Sequence, residues 1–265
     1  LLSFLIGSEL LLPSPWAVVR SFCGLAQTTE FYRSILHTLL RVAAGFAVGM
    51  TAGLLAGALT AFSHAADVLL TPLKNIIKAT PVTSFIVLIL LYFSSNVTPS
   101  AVAFLAVLPI CWSNVCEGLR QTDKKMTELA HAYAFGRKKT LREIYFPAVR
   151  PYLSAAATTG LGFAWKSCVA AEVIALSKNS VGRALYESKL YLETAELFAW
   201  TASVVLISVL FEKLLVHKLF RNKNTEGAAG RRSESLEHEH AGCEAELQNK
   251  SDAYAEYGKD EERNI

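Results

Sequence analysis

From Glu128 to Pro147 the chain reads ELAHAYAFGRKKTLREIYFP, a polar and basic stretch set between long apolar ones. A bilayer core of about 30 Å takes about 20 helical residues to cross, so the apolar lengths on either side decide the fold. Upstream lie Val42 to Phe62, a charge-free run and the clearest span. Val68 to Phe93 is broken by Pro72, Lys74, Lys78 and Pro81, and Ala101 to Val115 follows the short turn Ser94 to Pro99. Downstream lie Tyr152 to Leu176, which holds Lys166 and Glu172, and Leu197 to Leu215, with Glu212 and Lys213 near its end. Leu1 to Leu12 is apolar but too short to span, and it lacks the basic flank and small-residue cleavage site of a signal peptide. It reads as the remnant, residues 1–12, of a first helix. The pattern predicts an all-α fold: a polytopic membrane helix bundle of six helices, the first truncated and five complete.

Composition agrees. Hydrophobic residues make up 52% and charged residues 18% of 265, too oily for an ordinary soluble domain and too charged for a chain buried in lipid throughout. Residues 1–221 hold 20 Lys/Arg against 12 Asp/Glu, whereas 222–265 hold 6 against 11. A membrane body, 13–221, is therefore followed by an acidic tail, 222–265, too poor in large apolar side chains to build a core and expected to be disordered. Five scattered cysteines without CxxC spacing read as packing residues. His238 and His240 with Glu237, Glu239 and Cys243 lie in the low-complexity tail without a second ligand cluster, so no metal site is expected.

Orientation follows the Lys/Arg excess of short loops. Arg120 to Arg150 carries eight basic residues against Asp123, Glu128 and Glu143, and Ser177 to Glu196 balances three against three. The basic loop is expected in the cytoplasm, the balanced one outside, and the tail back in the cytoplasm. Within the clearest span, Gly45, Gly49, Gly53 and Gly57 recur every fourth residue and share one helix face, a stripe that lets another helix approach closely in lipid.

In the basic segment, Met126 to Phe135 favours helix with Asp123 as N-cap, and Gly136 suits its C-terminus. Thr140-Leu-Arg-Glu143 fits a capping box for a second short helix, and Pro147 the first turn of the next membrane helix. Ala130, Ala132 and Ala134 offer a small-residue face for a groove on another protein. A basic hairpin resting on anionic headgroups fits the same residues, and physics alone leaves both open.

Position for position, the segment resembles the cytoplasmic "EAA" loop of ABC-importer permeases of type I, with Glu128, Ala130, Ile144 and Pro147 at the family's places. Ala134 stands where Gly is usual and Phe146 replaces the Leu before Pro147, with Gly136 available to take over the turn. Further stretches resemble the nitrate/sulfonate/taurine branch: LPSPW at Leu12 to Trp16, LLRVAAGFAVG within Ser34 to Gly53, KATPV at Lys78 to Val82, Ala164 to Glu172, and ETAELFAW at Glu193 to Trp200. Coverage is about residues 10–217. The resemblance implies a multi-pass subunit of the bacterial inner membrane, paired with a second permease copy. Its implied partners are cytoplasmic ABC ATPase subunits, which bind the ATP, and an external solute-binding protein; no nucleic acid is involved. It also implies that Glu128, Ala130, Ala134, Gly136 and Ile144 dock on the ATPase and that Pro147 sets the angle of the loop. The chain itself carries no phosphate-cradling GxxxxGK[ST] and no HExxH or paired-Asp constellation, so neither an ATPase nor an intramembrane enzyme is expected, and no catalytic residues or cofactor. A secondary transporter or channel is the rival, with less reason for a helical basic loop.

Ionisable residues inside a span face a cavity, a partner or an interface. Trp165, Lys166 and Glu172 are therefore candidate pathway residues, Lys166 as an attractor of anionic solutes. The alternative puts Glu172 near the external interface and pairs Lys166 internally. Lys74 and Lys78 are expected to snorkel at the cytoplasmic side, and Arg41 with His37 to cap the outer end of the second helix.

Overall fold

The computed structural model describes residues 13–220, all in helices and their connections, with no strand among the described residues. The helices are α1 Pro15–Leu25, α2 Thr29–Phe62, α3 His64–Ala79, α4 Val82–Tyr92, α5 Thr98–Arg120, α6 Lys124–Ala132, α7 Arg137–Thr140, α8 Phe146–Ala175, α9 Val181–Leu190 and α10 Thr194–Phe220, with a π-helical turn, Leu141–Tyr145, joining α7 to α8. The chain divides after Leu214 into two compact units. The bundle belongs to the first; of the second, only the end of α10 is described. The expected helix remnant 1–12 and acidic tail 222–265 lie outside the described residues.

α2, α5 and the Thr194–Phe211 part of α10 are long and apolar enough to cross a membrane. α2 begins at Thr29, well before the charge-free run at Val42, and its 34 residues extend roughly 50 Å. His37 and Arg41 therefore sit inside the helix and do not cap its end, because absence of charge marks where lipid begins, not where the backbone ends. The span expected over Val68 to Phe93 is instead two helices, α3 and α4, bent by 102°. Pro81 supplies no N–H and pushes Thr80 to extended backbone (φ −77°, ψ 127°), which ends α3. The 11 residues of α4 reach only about 16 Å and do not cross a bilayer alone.

The glycine stripe organises the bundle. A Cβ built on Gly49 would stand 2.8 Å from Val107 Cβ, on Gly53 2.6 Å from Cys111 Cβ, and on Gly57 2.8 Å from Val115 Cβ; Gly45 meets Ser100 and Ala103. Each step of four along α2 advances four along α5, so the two helices run parallel with backbones nearly touching. α8 runs antiparallel to both: Gly118 near the end of α5 lies under the Tyr152 ring, Gly160 lies against Val107, and Glu172 reaches the outer part of α2. Val42, Ala103, Val107, Ala164, Trp165, Cys168 and Val169 fill the core between them. Cys111, Cys116 and Cys168 are buried packing residues, while Cys23 is exposed.

The end of the bundle away from the basic loop, called the outer end, is tied by one carboxylate. Glu172 on α8 is fully buried. It accepts from the Arg41 guanidinium at 2.9 Å, from the Thr38 hydroxyl at 2.9 and 3.0 Å, and from the Gly182 N–H at 3.2 Å. Arg41 also donates to the Lys178 carbonyl at 2.9 Å and to Asn96 Oδ1 at 3.4 Å, and the Lys178 N–H reaches the same Asn96 oxygen at 3.1 Å. Four segments (α2, the α4–α5 loop, the end of α8 and the start of α9) thereby converge on one ion pair. Gly182 is required there, because a Cβ would overlap the Glu172 side chain and the Val173 N–H.

Removing one partner of a buried pair strands the other charge. Arg41→Ala is expected to cost about 3–5 kcal/mol, read as a large fall in the melting temperature of the detergent-solubilised protein. Gly53→Val is expected to destabilise by about 1–3 kcal/mol through overpacking. Gly24→Ala, where a Cβ meets nothing within 4 Å, leaves the melting curve in place.

Candidate functional site

The basic loop is built from short-range hydrogen bonds. Asp123 Oδ1 accepts from the Lys125 N–H at 2.9 Å and starts α6, as an N-cap carboxylate does. α6 ends three residues earlier than the residues suggest. The Phe135 N–H closes onto the Ala130 carbonyl at 2.8 Å, a Schellman bond that requires left-handed backbone one residue before. That residue is Ala134, at φ 51°. Gly136, expected to supply the turn, does not adopt left-handed backbone and stands in open space. The family's glycine position thus keeps its glycine-like backbone while carrying alanine.

The capping box at Thr140 to Glu143 does not form. α7 has already begun at Arg137, and Thr140 lies in helical backbone with its N–H on the Gly136 carbonyl at 3.1 Å. The helix then widens to π geometry over Leu141–Tyr145, with the Phe146 N–H bonded to the Leu141 carbonyl, and runs directly into α8. Pro147 accounts for this. In a continuous helix its missing N–H leaves the Glu143 carbonyl unbonded and its ring crowds that carbonyl, which a wider turn relieves. Pro147 thus lies in the first turn of α8, as expected, although α8 follows directly from the π turn without a separate cap.

Three contacts anchor the loop at its base. The Phe62 ring at the end of α2 stands edge-on to Tyr145 with centroids 5.3 Å apart. Arg120 at the end of α5 pairs with Asp67 of α3 at 2.6 Å. The Tyr152 hydroxyl of α8 donates to Gln121 Oε1. Held at its base, the loop turns one face outward. Met126 and Leu129 on α6 and Tyr133 just past its end are exposed at i, i+3, i+7 spacing, the last 71% exposed, and Leu141 is exposed further along the chain. Glu128 is exposed on another side of the helix. Ala130, expected on this surface, is only 4% exposed; Ile144 is half-buried. The i, i+3, i+7 spacing of Met126, Leu129 and Tyr133 is the sequence signal for these outward apolar residues, beside the alanines.

The candidate pathway residues separate. Glu172 is consumed by the outer ion pair described above. Trp165 is buried, its ring 5.7 Å from that of Phe211, and its indole N–H has no partner. Lys166 is exposed on α8 and forms no ion pair among the described residues, so the internal pairing weighed for it does not occur. No group of three or more His, Cys, Asp or Glu positioned to hold a metal occurs among the described residues.

Left-handed backbone costs a residue with a Cβ about 1–2 kcal/mol that glycine avoids. Ala134→Gly is therefore expected to strengthen the α6 cap by about 1 kcal/mol, read as slower amide exchange at the C-terminal end of α6.

Comparison with known proteins agrees with this architecture. Residues 49–217 match the family model described as binding-protein-dependent transport system inner membrane component. The chain is 26% identical over 225 residues to a protein named as an aliphatic sulfonates transport permease of Bacillus subtilis, covering 83% of this chain and 81% of that one. It is 21% identical over 211 residues to the taurine transport system permease protein of Escherichia coli, covering 77% and 76%. It is 28% identical over 214 residues to the riboflavin transport system permease protein of Chloroflexus aurantiacus, covering 78% and 80%. With most of the membrane body matched and a bundle of apolar helices to accompany it, the chain belongs to the family of inner membrane components of binding-protein-dependent transport systems.

Proposed function

We propose that this chain is the pathway-forming permease of an ATP-driven importer of small anions of the aliphatic sulfonate or taurine kind. Two copies pair in the bacterial inner membrane, cytoplasmic ABC ATPase subunits grip residues 120–150, and an external solute-binding protein delivers the solute. The observation that carries the reading is the loop itself. Glu128, Met126 and Leu129 on α6 and Tyr133 just past it stand exposed in a loop whose ends are tied to the bundle by the Phe62–Tyr145, Arg120–Asp67 and Tyr152–Gln121 contacts. An apolar face at helical spacing on a polar, basic loop suits a groove on a partner better than it suits solvent. The excess of Lys/Arg in this loop supports a cytoplasmic position for it and for the tail.

Coupling then needs no chemistry in this chain. ATP binding in the partner has only to favour one of two packings of the permease by a few kcal/mol to shift their populations. The loop transmits that bias because α7 and the π turn continue without a break into α8. Met126, Leu129 and Tyr133 join Glu128 in the docking surface, Ala134 and Gly136 shape its turn, and Ile144 and Pro147 link it to the membrane helix.

The reading is tested on the complex reconstituted in proteoliposomes. Leu129→Glu and Glu128→Lys are each expected to lower ATP-dependent uptake of radiolabelled taurine or ethanesulfonate at least about tenfold, as loss of an interface anchor does. The variants should still reach the membrane in normal amounts. Full-rate uptake by Leu129→Glu removes the docking assignment, and purification of a functional carrier without any nucleotide-binding subunit points to an ATP-independent transporter.

A further inference from the structure

α8, expected to span, is not among the helices apolar enough to cross by themselves, but it packs antiparallel along α5 from Tyr152 to Glu172. On α2, α5, α8 and α10 every described ionic side chain but one is paired or lies toward a helix end. Arg41 and Glu172 neutralise each other in the outer node, and Arg120 pairs with Asp67. Lys166 has no such partner. It lies two turns inward from the outer node on α8, beside Trp165, whose ring reaches Phe211 of α10, so it stands inside the span and not at its rim. A charged residue facing lipid near the bilayer centre is costly, so an unpaired lysine there marks a polar surface.

The surface around it is of a different kind from the others. The open faces of α2, α4 and α10 carry large apolar side chains, as a lipid contact requires: Leu40, Val48, Leu55 and Leu59; Val87, Leu88 and Leu91; Val205, Leu206, Val209 and Leu210. On α8 from Ala155 to Val173, the residues within about 40° of Lys166 are Ala155, Thr159, Gly162, Ala170 and Val173, the last half-buried. Ala155, Thr159 and Ala170 are exposed, and a Cβ on Gly162 would meet nothing within 4 Å. This is a mostly small and partly polar strip with one cation on it, bordered by the exposed Phe163 and Ile174 and running along the helix that contacts both α2 and α5.

We infer that this strip of α8 lines the solute pathway and that Lys166 is its specificity-determining residue, balancing the charge of a small anion, a sulfonate or another single-charged oxyanion, as it crosses. The inference rests on the importer reading and deepens it. The ammonium is a compact point charge with three donors on a flexible stem, suited to an oxyanion that must bind and leave, and the neighbouring small residues leave the width for one. Thr159, about two turns inward, offers a hydroxyl on the same line. Glu172, already bonded to Arg41, Thr38 and Gly182, does not compete for the lysine.

The test uses the full chain in its assembled transporter, with Cys23 and Cys243 replaced by alanine and the parent without a new cysteine as the blank. Single cysteines are placed at Thr159 and Ala170 on the strip, and at Val205 and Leu55 on lipid-type faces. They are exposed to two water-soluble thiol reagents of equal size, one bearing a sulfonate and one a quaternary ammonium. Thr159→Cys and Ala170→Cys are expected to react with the sulfonate reagent at least about tenfold faster than Val205→Cys and Leu55→Cys, and to prefer the anionic reagent over the cationic one. Lys166→Gln should erase that preference and Lys166→Arg should keep it. Strip cysteines as inert as the lipid-facing ones overturn the pathway, and a preference untouched by Lys166→Gln overturns the role of the charge. The labelling needs no ATP hydrolysis. Failure of the ATPase partnership, read by co-purification, is thus distinguishable from failure of this inference.

Discussion

Four glycines of α2 let two helix backbones touch, and the remainder of the bundle is arranged around that contact. In lipid no hydrophobic drive brings helices together, since lipid tails are as apolar as leucine, so association depends on close van der Waals packing over a long seam. Gly45, Gly49, Gly53 and Gly57 supply that seam by leaving the space that side chains of α5 occupy, with Ala103, Val107, Cys111 and Val115 as the fillers. Parallel α2 and α5 then form a groove, and α8 lies antiparallel in it, its small residues inward at Ala156, Gly160 and Ala164. The polar contacts come afterwards. The Arg41–Glu172 node locks the outer end of a bundle already packed, and the aromatic and ionic contacts at Phe62, Arg120 and Tyr152 fix the inner end from which the loop projects.

Much of this was legible in the residues because it is local or periodic. A four-residue glycine period has one helical meaning, and Asp123 caps α6 through a carboxylate only two residues from the N–H it accepts. The basic loop between two oily stretches follows from hydropathy alone. What was not legible is long-range or depends on where a helix stops. Glu172 finds Arg41 across 131 positions of sequence, and no pattern near either residue announces the other. α2 continues outward from its charge-free part because a helix does not end where charges start. The break at Pro81 lies inside an apolar run whose average hides it.

The loop shows the same division more sharply. Gly136 was the reasonable residue for the turn, because glycine pays no Cβ penalty in left-handed backbone. The position of that backbone is nevertheless set by where the last helical bond closes, and Phe135 bonding back to Ala130 puts it on Ala134. The same pattern recurs at the ends of α8 and α9, where Leu176 and Leu192 hold φ 51° and 61° with the following N–H bonded back to the carbonyls of Glu172 and Ser188. Among the described residues three helices therefore end in left-handed turns without glycine, so there the bonding geometry locates these turns and glycine does not. Likewise the box at Thr140 was a valid start signal overruled by a helix already under way.

On the pathway inferred above, the fixed cation of Lys166 also bears on what the membrane does not let through. The resting potential of a bacterium pulls protons and sodium inward, and any water-filled opening wide enough for a sulfonate would pass them too. An uncompensated ammonium raises the electrostatic barrier to exactly those ions while lowering it for their counterparts, as positive groups do in pores that exclude protons. Lys166 would in that way seal the membrane against leakage during the moments when its conduit is wet.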